Sequence, residues 1–234
     1  VADTQYYVRD AVIEYVQHQT APIAPAIEGR LLFAAPPAPV VSTPVVVPEP
    51  SLEGHAVVVT AAFADPAPQH GPFTCTVNFG DGAAVVPGTV SGMTCTSPAH
   101  TYATYGSYTV TVTVRDAIGS PGTASTTHVV YFDYSGPFPP LSARTNDVQA
   151  GSMIPVRFSL NGYKGMDIFM PGYPKVMACS GGAGVTVTGA LHYDAYTDTY
   201  QFMWKTPKSL KGCQHLSLGL KDGSTHMIEV SFRS

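Results

Sequence analysis

Between Tyr108 and Val114 the chain reads Tyr-Thr-Val-Thr-Val-Thr-Val, an alternation with a period of two residues. A strand places residues i, i+2 and i+4 on one face, whereas a helix scatters them around its axis. The segment is therefore predicted to be a half-buried strand with its valines inward and its threonines outward. Short runs rich in β-branched and aromatic residues recur on both sides of it. They predict strands at Val45 to Val47, His55 to Phe63, Phe73 to Phe79, Tyr108 to Arg115 and Ala124 to Phe132.

A second series follows Ser135-Gly136-Pro137-Phe138-Pro139-Pro140, which reads as a hinge. Its strands are predicted at Ile154 to Leu160, Val185 to Val187, Gln201 to Lys205, Leu216 to Lys221 and His226 to Phe232, with Asp222-Gly223 as a hairpin turn between the last two. One immunoglobulin-like sandwich takes about 100 residues, so 234 residues hold two and leave an extension. The expected fold is all-β: two consecutive immunoglobulin-like β-sandwiches at 44–133 and 134–234, preceded by an extended Pro-rich arm at 1–43. The arm carries Tyr6, Val8, Val12, Ile13, Tyr15 and Val16, then a Pro-punctuated stretch with the apolar patch Leu31, Leu32 and Phe33. Val8, Val12, Tyr15 and Val16 share a helical stripe, while their β-branched and aromatic character favours strand, so both conformations stay open.

The four cysteines split into two local pairs, Cys75 with Cys95 and Cys179 with Cys213, one inside each expected sandwich. None sits in a Cys-x-x-Cys or beside a suitably spaced His pair, which disfavours structural zinc and favours two disulfides. Closing the loop between Cys75 and Cys95 should stabilise the first sandwich by about 3 kcal/mol. Twelve Lys and Arg against sixteen Asp and Glu, a formal charge of −4, offer no basic footprint for nucleic acid. No apolar run reaches the roughly 18 residues that span a bilayer. Disulfides and a first residue, Val1, that is not Met lead to the expectation of a secreted, cell-surface product released from a cleaved signal peptide.

Residues 77–82, Val-Asn-Phe-Gly-Asp-Gly, followed by His100-Thr101-Tyr102 and by Tyr105-Gly106-Ser107-Tyr108, resemble the polycystic kidney disease (PKD) domain, an immunoglobulin-like sandwich of cell-surface and secreted proteins. Asn78-Phe79 stands where that family often has Asp-Trp or Asp-Phe. The resemblance marks Asp81, His100 and Tyr102 as structural-motif residues, and Tyr108 is placed like a tyrosine corner. The region from about Phe132 to Ser234 is similar to the bacterial PxKF module. Its name motif appears as Pro155-Val156-Arg157-Phe158, and Gly165-Met166-Asp167-Ile168-Phe169 and Trp204-Lys205-Thr206 accompany it. Arg157 replaces the lysine of that motif. The resemblance implies location and architecture, not catalysis.

The eight histidines form no His-Glu-x-x-His, and no Gly-x-Ser-x-Gly is present. No catalytic residue, cofactor or metal is expected. Asp194 and Asp198 lack the acid alternation of a calcium loop and read as a turn. Tyr200, Phe202 and Trp204 should share a core face. The expected function is that of a non-enzymatic extracellular subunit whose arm adds a strand to another copy, giving a head-to-tail homopolymer. The alternative is a carbohydrate- or protein-binding adhesion module of a larger secreted protein, with surface glycans stacking on an aromatic platform of Tyr193, Tyr196, Tyr200 and Trp204.

Overall fold

The computed structural model describes residues 7–8, 11–12, 37–66, 70–144 and 146–233. In the first sandwich, Ala56–Ala64 pairs antiparallel with Val45–Val47 on one side and with Thr94–Thr96 and His100–Thr101 on the other; Thr89–Ser91 closes that sheet. The facing sheet runs Ser51–Leu52, Pro121–Tyr131, Gly106–Arg115, Thr74–Asn78, Val86–Pro87. The alternation sets the packing: Val110, Val112 and Val114 are fully buried, opposite Val57, Val59 and Phe63 of the first sheet, while Thr109, Thr111 and Thr113 face outward. Each such valine contributes about 1.5–3 kcal/mol by leaving water.

The second sandwich repeats the plan with larger side chains. One sheet runs Ser135–Phe138, Met153–Ser159, Thr199–Lys205, Gly189–Asp194, and the other Asn146–Gln149, Thr225–Arg233, Gly212–Gly219, Lys175–Ala178, Val185–Thr186. Cross-strand pairs Ile154 with Trp204, Val156 with Phe202 and Phe158 with Tyr200 fill the inner face. Trp204 meets Phe232 of the other sheet edge-on, at 5.7 Å between ring centres.

Three expectations are corrected. Val40 and Val41, assigned to the arm, pair with Ala64 and Phe63 and so belong to the first sandwich. Ser135–Phe138, read as a hinge, is an edge strand on Met153–Ser159; Pro137 is tolerated there because an edge strand leaves one side of its backbone unpaired. The crossing between sandwiches falls at Phe132 to Tyr134, between Pro121–Tyr131 and Ser135–Phe138. The Asp222-Gly223 hairpin exists but with a wider loop, in which Leu220 N–H bonds Ser224 C=O and Gly223 N–H bonds Leu220 C=O. Within the arm, Tyr7 and Val8 pair with Val12 and Ala11 as a two-stranded ladder. Tyr6, Ile13, Tyr15, Val16, Leu31, Leu32 and Phe33 lie outside the described residues.

Candidate functional site

Around Asp81 the backbone must turn sharply out of Thr74–Asn78. Gly80 sits at φ +79°, and a Cβ there would lie 2.4 Å from the Thr109 carbonyl oxygen, so only glycine fits. Asn78 Oδ1 accepts from Gly80 N–H at 2.9 Å, and Asp81 Oδ1 accepts from Ala83 N–H at 3.1 Å. His100 Nε2 meets Asp81 Oδ2 at 2.8 Å while its ring stacks on Phe79, 3.9 Å between centres. Burial pushes the Asp81 carboxyl up, but the Ala83 N–H and His100 together outweigh it and hold the group below the usual aspartate value. Tyr102, fully buried, donates to the Phe79 carbonyl at 3.0 Å, and burial raises its phenol. Tyr108 donates back to the Thr104 carbonyl at 2.7 Å. Asp81, His100, Tyr102 and Tyr108 are thus brought to one corner, where they fix backbone.

A constellation that sequence spacing does not reveal lies nearby. Ser51 Oγ is 2.8 Å from His128 Nε2, and His128 Nδ1 is bonded to Glu49, whose other oxygen accepts from Val129 N–H at 3.1 Å. The order serine, histidine, carboxylate is that of a hydrolytic triad. Yet Ser51 is 1% exposed and His128 fully buried, so no substrate carbonyl reaches the hydroxyl. What the network does is hold Ser51–Leu52 in its parallel pairing with Val130 and Tyr131.

The two sandwiches meet through side chains from both. Glu53, 6% exposed, accepts from Tyr105 N–H at 2.6 Å and forms an ion pair with Lys164 of the second sandwich. Asp133 bonds His55 on one side, at 3.2 Å, and Asn161 on the other, at 3.0 Å. Asp222 accepts from Phe132 N–H at 2.7 Å, and the Tyr105 ring packs on Phe132 at 4.4 Å. A carboxylate therefore sits at each of the three polar contacts, accepting from donors on both sides.

At the tyrosine-rich end, Tyr200, Phe202 and Trp204 are buried as expected, and Gln201, Met203 and Lys205 point away from the core. Asp194 spends both oxygens on its own turn, to Tyr196 N–H and to the Thr197 hydroxyl. Asp198, at φ 49°, accepts from Ser159, from Gly162 N–H and from Tyr193, tying the 159–164 loop to the hairpin. That hydrogen bond to Asp198 is the main reason the Tyr193 phenol is pushed up to about 12. Tyr196 projects from the turn at 97% exposure and Tyr163 is 58% exposed, its ring 4.9 Å from that of Tyr193. The cysteines pair as Cys75–Cys95 and Cys179–Cys213.

Two stacked β-sheet layers in each half, with a Gly-Asp-Gly turn locked by His100 and a tyrosine hydroxyl bonded back to backbone at one corner of the first, define an immunoglobulin-like tandem. The family model of the PKD domain matches residues 37–130, starting where Val40 and Val41 join the sheet. The match ends at residue 130, so the PxKF resemblance of the second sandwich rests on its own residues. No curated protein matches the chain. Among solved structures, the PKD1 domain of Vibrio anguillarum Epp is similar at 24% identity over 42% of this chain and 98% of that one, with a TM-score of 0.30. A putative membrane-anchored protein from Corynebacterium diphtheriae is 15% identical over 82% of this chain and 58% of its own, TM-score 0.39. The Bacteroides ovatus protein SGBP-B from a mixed-linkage glucan utilization locus, solved with a mixed-linkage heptasaccharide, is 15% identical over 82% of this chain and 48% of that one, TM-score 0.25. Likeness at this level concerns the fold and carries no argument about function. Among the described residues no helix is long and apolar enough to cross a membrane.

Proposed function

We propose that the protein is a non-enzymatic extracellular subunit that works by docking. Residues 1–36 add a strand to a neighbouring copy, the first sandwich acts as a spacer, and the second, read as a PxKF-type module, provides the distal contact surface. The observation that supports docking most is the set of open sheet edges. Thr89–Ser91, Ser135–Phe138 and Gly189–Asp194 each pair on one side only among the described residues. Such edges offer a row of N–H and C=O groups to an incoming strand. Two disulfides suit an oxidising exterior. Negative-stain electron microscopy of the native chain beside a variant lacking residues 1–36 tests the proposal: fibres or sheets that vanish with the deletion support it, and monomers in both samples sink it.

A second reading draws on the exposure of Tyr163 and Tyr196. Flat rings stack on sugar faces, and the tyrosine-rich end would make this an adhesion module for surface glycans. Tyr163→Ala and Tyr196→Ala should then abolish glycan retention on an array while leaving the oligomeric state unchanged.

A further inference from the structure

The two disulfides differ in what surrounds them. Cys75 and Cys95 are 4% and 1% exposed, inside the first core. Cys213 is exposed and Cys179 half-buried, and Cys213 lies near the start of Gly212–Gly219, which runs between Lys175–Ala178 and Thr225–Arg233. His215 stands two residues beyond Cys213 on the same strand face, directly opposite Glu229 on the next strand and Met177 on the other. One donor atom each from Cys179, His215 and Glu229 lie within 4.8 Å of one another, and His215 Nε2 is 3.7 Å from Glu229 Oε2. Cys213 Sγ stands outside that cluster but one S–S bond away from Cys179, so that opening the bond frees a second sulfur beside it.

Zinc bonds of about 2.3 Å to sulfur and about 2.0–2.2 Å to nitrogen or oxygen imply tetrahedral edges of roughly 3.3–3.8 Å. The Cys179, His215 and Glu229 donors, within 4.8 Å of one another, need only a small contraction to reach them. The donors come from three neighbouring strands, so no Cys-x-x-Cys spacing betrays them in the sequence.

We infer that opening the Cys179–Cys213 disulfide creates a site for a borderline-soft divalent cation such as Zn2+, held by Cys179, Cys213, His215 and Glu229. A dithiol supplies the two electrons and two protons that turn the disulfide into two thiols, and itself becomes a disulfide. The cation then displaces the two thiol protons to solvent. With the disulfide closed neither sulfur carries thiolate charge, and only the imidazole and the carboxylate remain as donors. The exposed disulfide is thus a gate: oxidised it crosslinks two strands of one sheet, reduced it hands the same two sulfurs to a metal. Among the described residues no cluster of three such donors includes Cys75 or Cys95, and the buried Cys75–Cys95 bond serves as the internal control.

The test uses the full chain. A limiting amount of dithiol is added and then removed without air, alkylation and mass spectrometry establish which pair has opened, and Co2+ is titrated as the probe with Trp204 fluorescence reporting the fold. The expected result is opening of Cys179–Cys213 first, one Co2+ per chain, a thiolate-to-cobalt charge-transfer band, and displacement by Zn2+. His215→Ala and Glu229→Gln should each weaken Co2+ binding by about tenfold or more. A folded, reduced protein without the charge-transfer band overturns the inference. So does a band indifferent to both substitutions, and so does unfolding on reduction that Zn2+ fails to reverse.

Discussion

The first sandwich fills its interior with valines and spans the two sheets with a disulfide; the second fills its interior with Trp204, Tyr200, Phe158, Phe202 and leucines and keeps its disulfide on the surface, between neighbouring strands of one sheet. The difference follows from side-chain size. Small β-branched residues reach only partway across a gap of about 10 Å between sheets, so the crosslink from Thr74–Asn78 to Thr94–Thr96 and the Asp81–His100–Tyr102 corner supply cohesion that bulk does not. A core of large rings closes the gap by itself and frees its cysteines for the outer face.

Removing the largest ring should do most damage. Trp204→Ala is expected to destabilise the second sandwich by about 3–5 kcal/mol, seen as an early second-domain transition in urea. A smaller loss than that of a valine-to-alanine change in the first core, such as Val112→Ala, would break the comparison.

The disulfides sharpen it further. On chain entropy alone the separation of 34 residues between Cys179 and Cys213 should matter slightly more than the 20 between Cys75 and Cys95. Burial reverses that order, because paired Cys75→Ser and Cys95→Ser leave two hydroxyls inside the core. The expected cost is about 3 kcal/mol or more for the buried pair and less for the surface pair, measured by the same urea titration. Equal costs would mean that the inter-sheet position has no special weight.

At the corner, Tyr102→Phe removes the hydroxyl bonded to the buried Phe79 carbonyl and should cost about 1–2 kcal/mol, confined to the first sandwich. The smallest effect is expected from pH. Burial against Tyr134, 3.6 Å ring to ring, holds His226 below its ordinary value of 6.5, with Asp222 opposing. The unfolded chain takes up that proton first. The contribution of His226 is therefore full above pH 6.5, declines as the pH falls from there to the folded value, and is level below it. A shallow stability slope in this window that His226→Phe flattens checks the sign; a slope rising toward acid contradicts it.

Much of this architecture is written locally in the chain. Val110, Val112 and Val114 declare their strand by alternation, Gly80 declares a turn, and the cysteine pairs fall one to a sandwich. What is not legible is non-local and short. Ser51–Leu52 pairs in parallel with residues about eighty positions away, and two residues carry no periodicity. The Ser51–His128–Glu49 latch and the Glu53–Lys164 joint depend on strand order, which spacing does not encode. Ser135–Phe138 was misleading for a physical reason: Gly136 and Pro137 signal a break, yet an edge strand accepts both.

Head-to-tail docking makes a demand that a passive monomer does not. A chain beginning at residue 37 keeps both cores and every open edge but has no arm, so it can receive a neighbour and cannot donate to the next. Added in small proportion to the native chain, it should shorten assemblies in step with its mole fraction, as read by electron microscopy and sedimentation. Assemblies whose length ignores it, or a native chain that never assembles, would contradict strand donation by the arm.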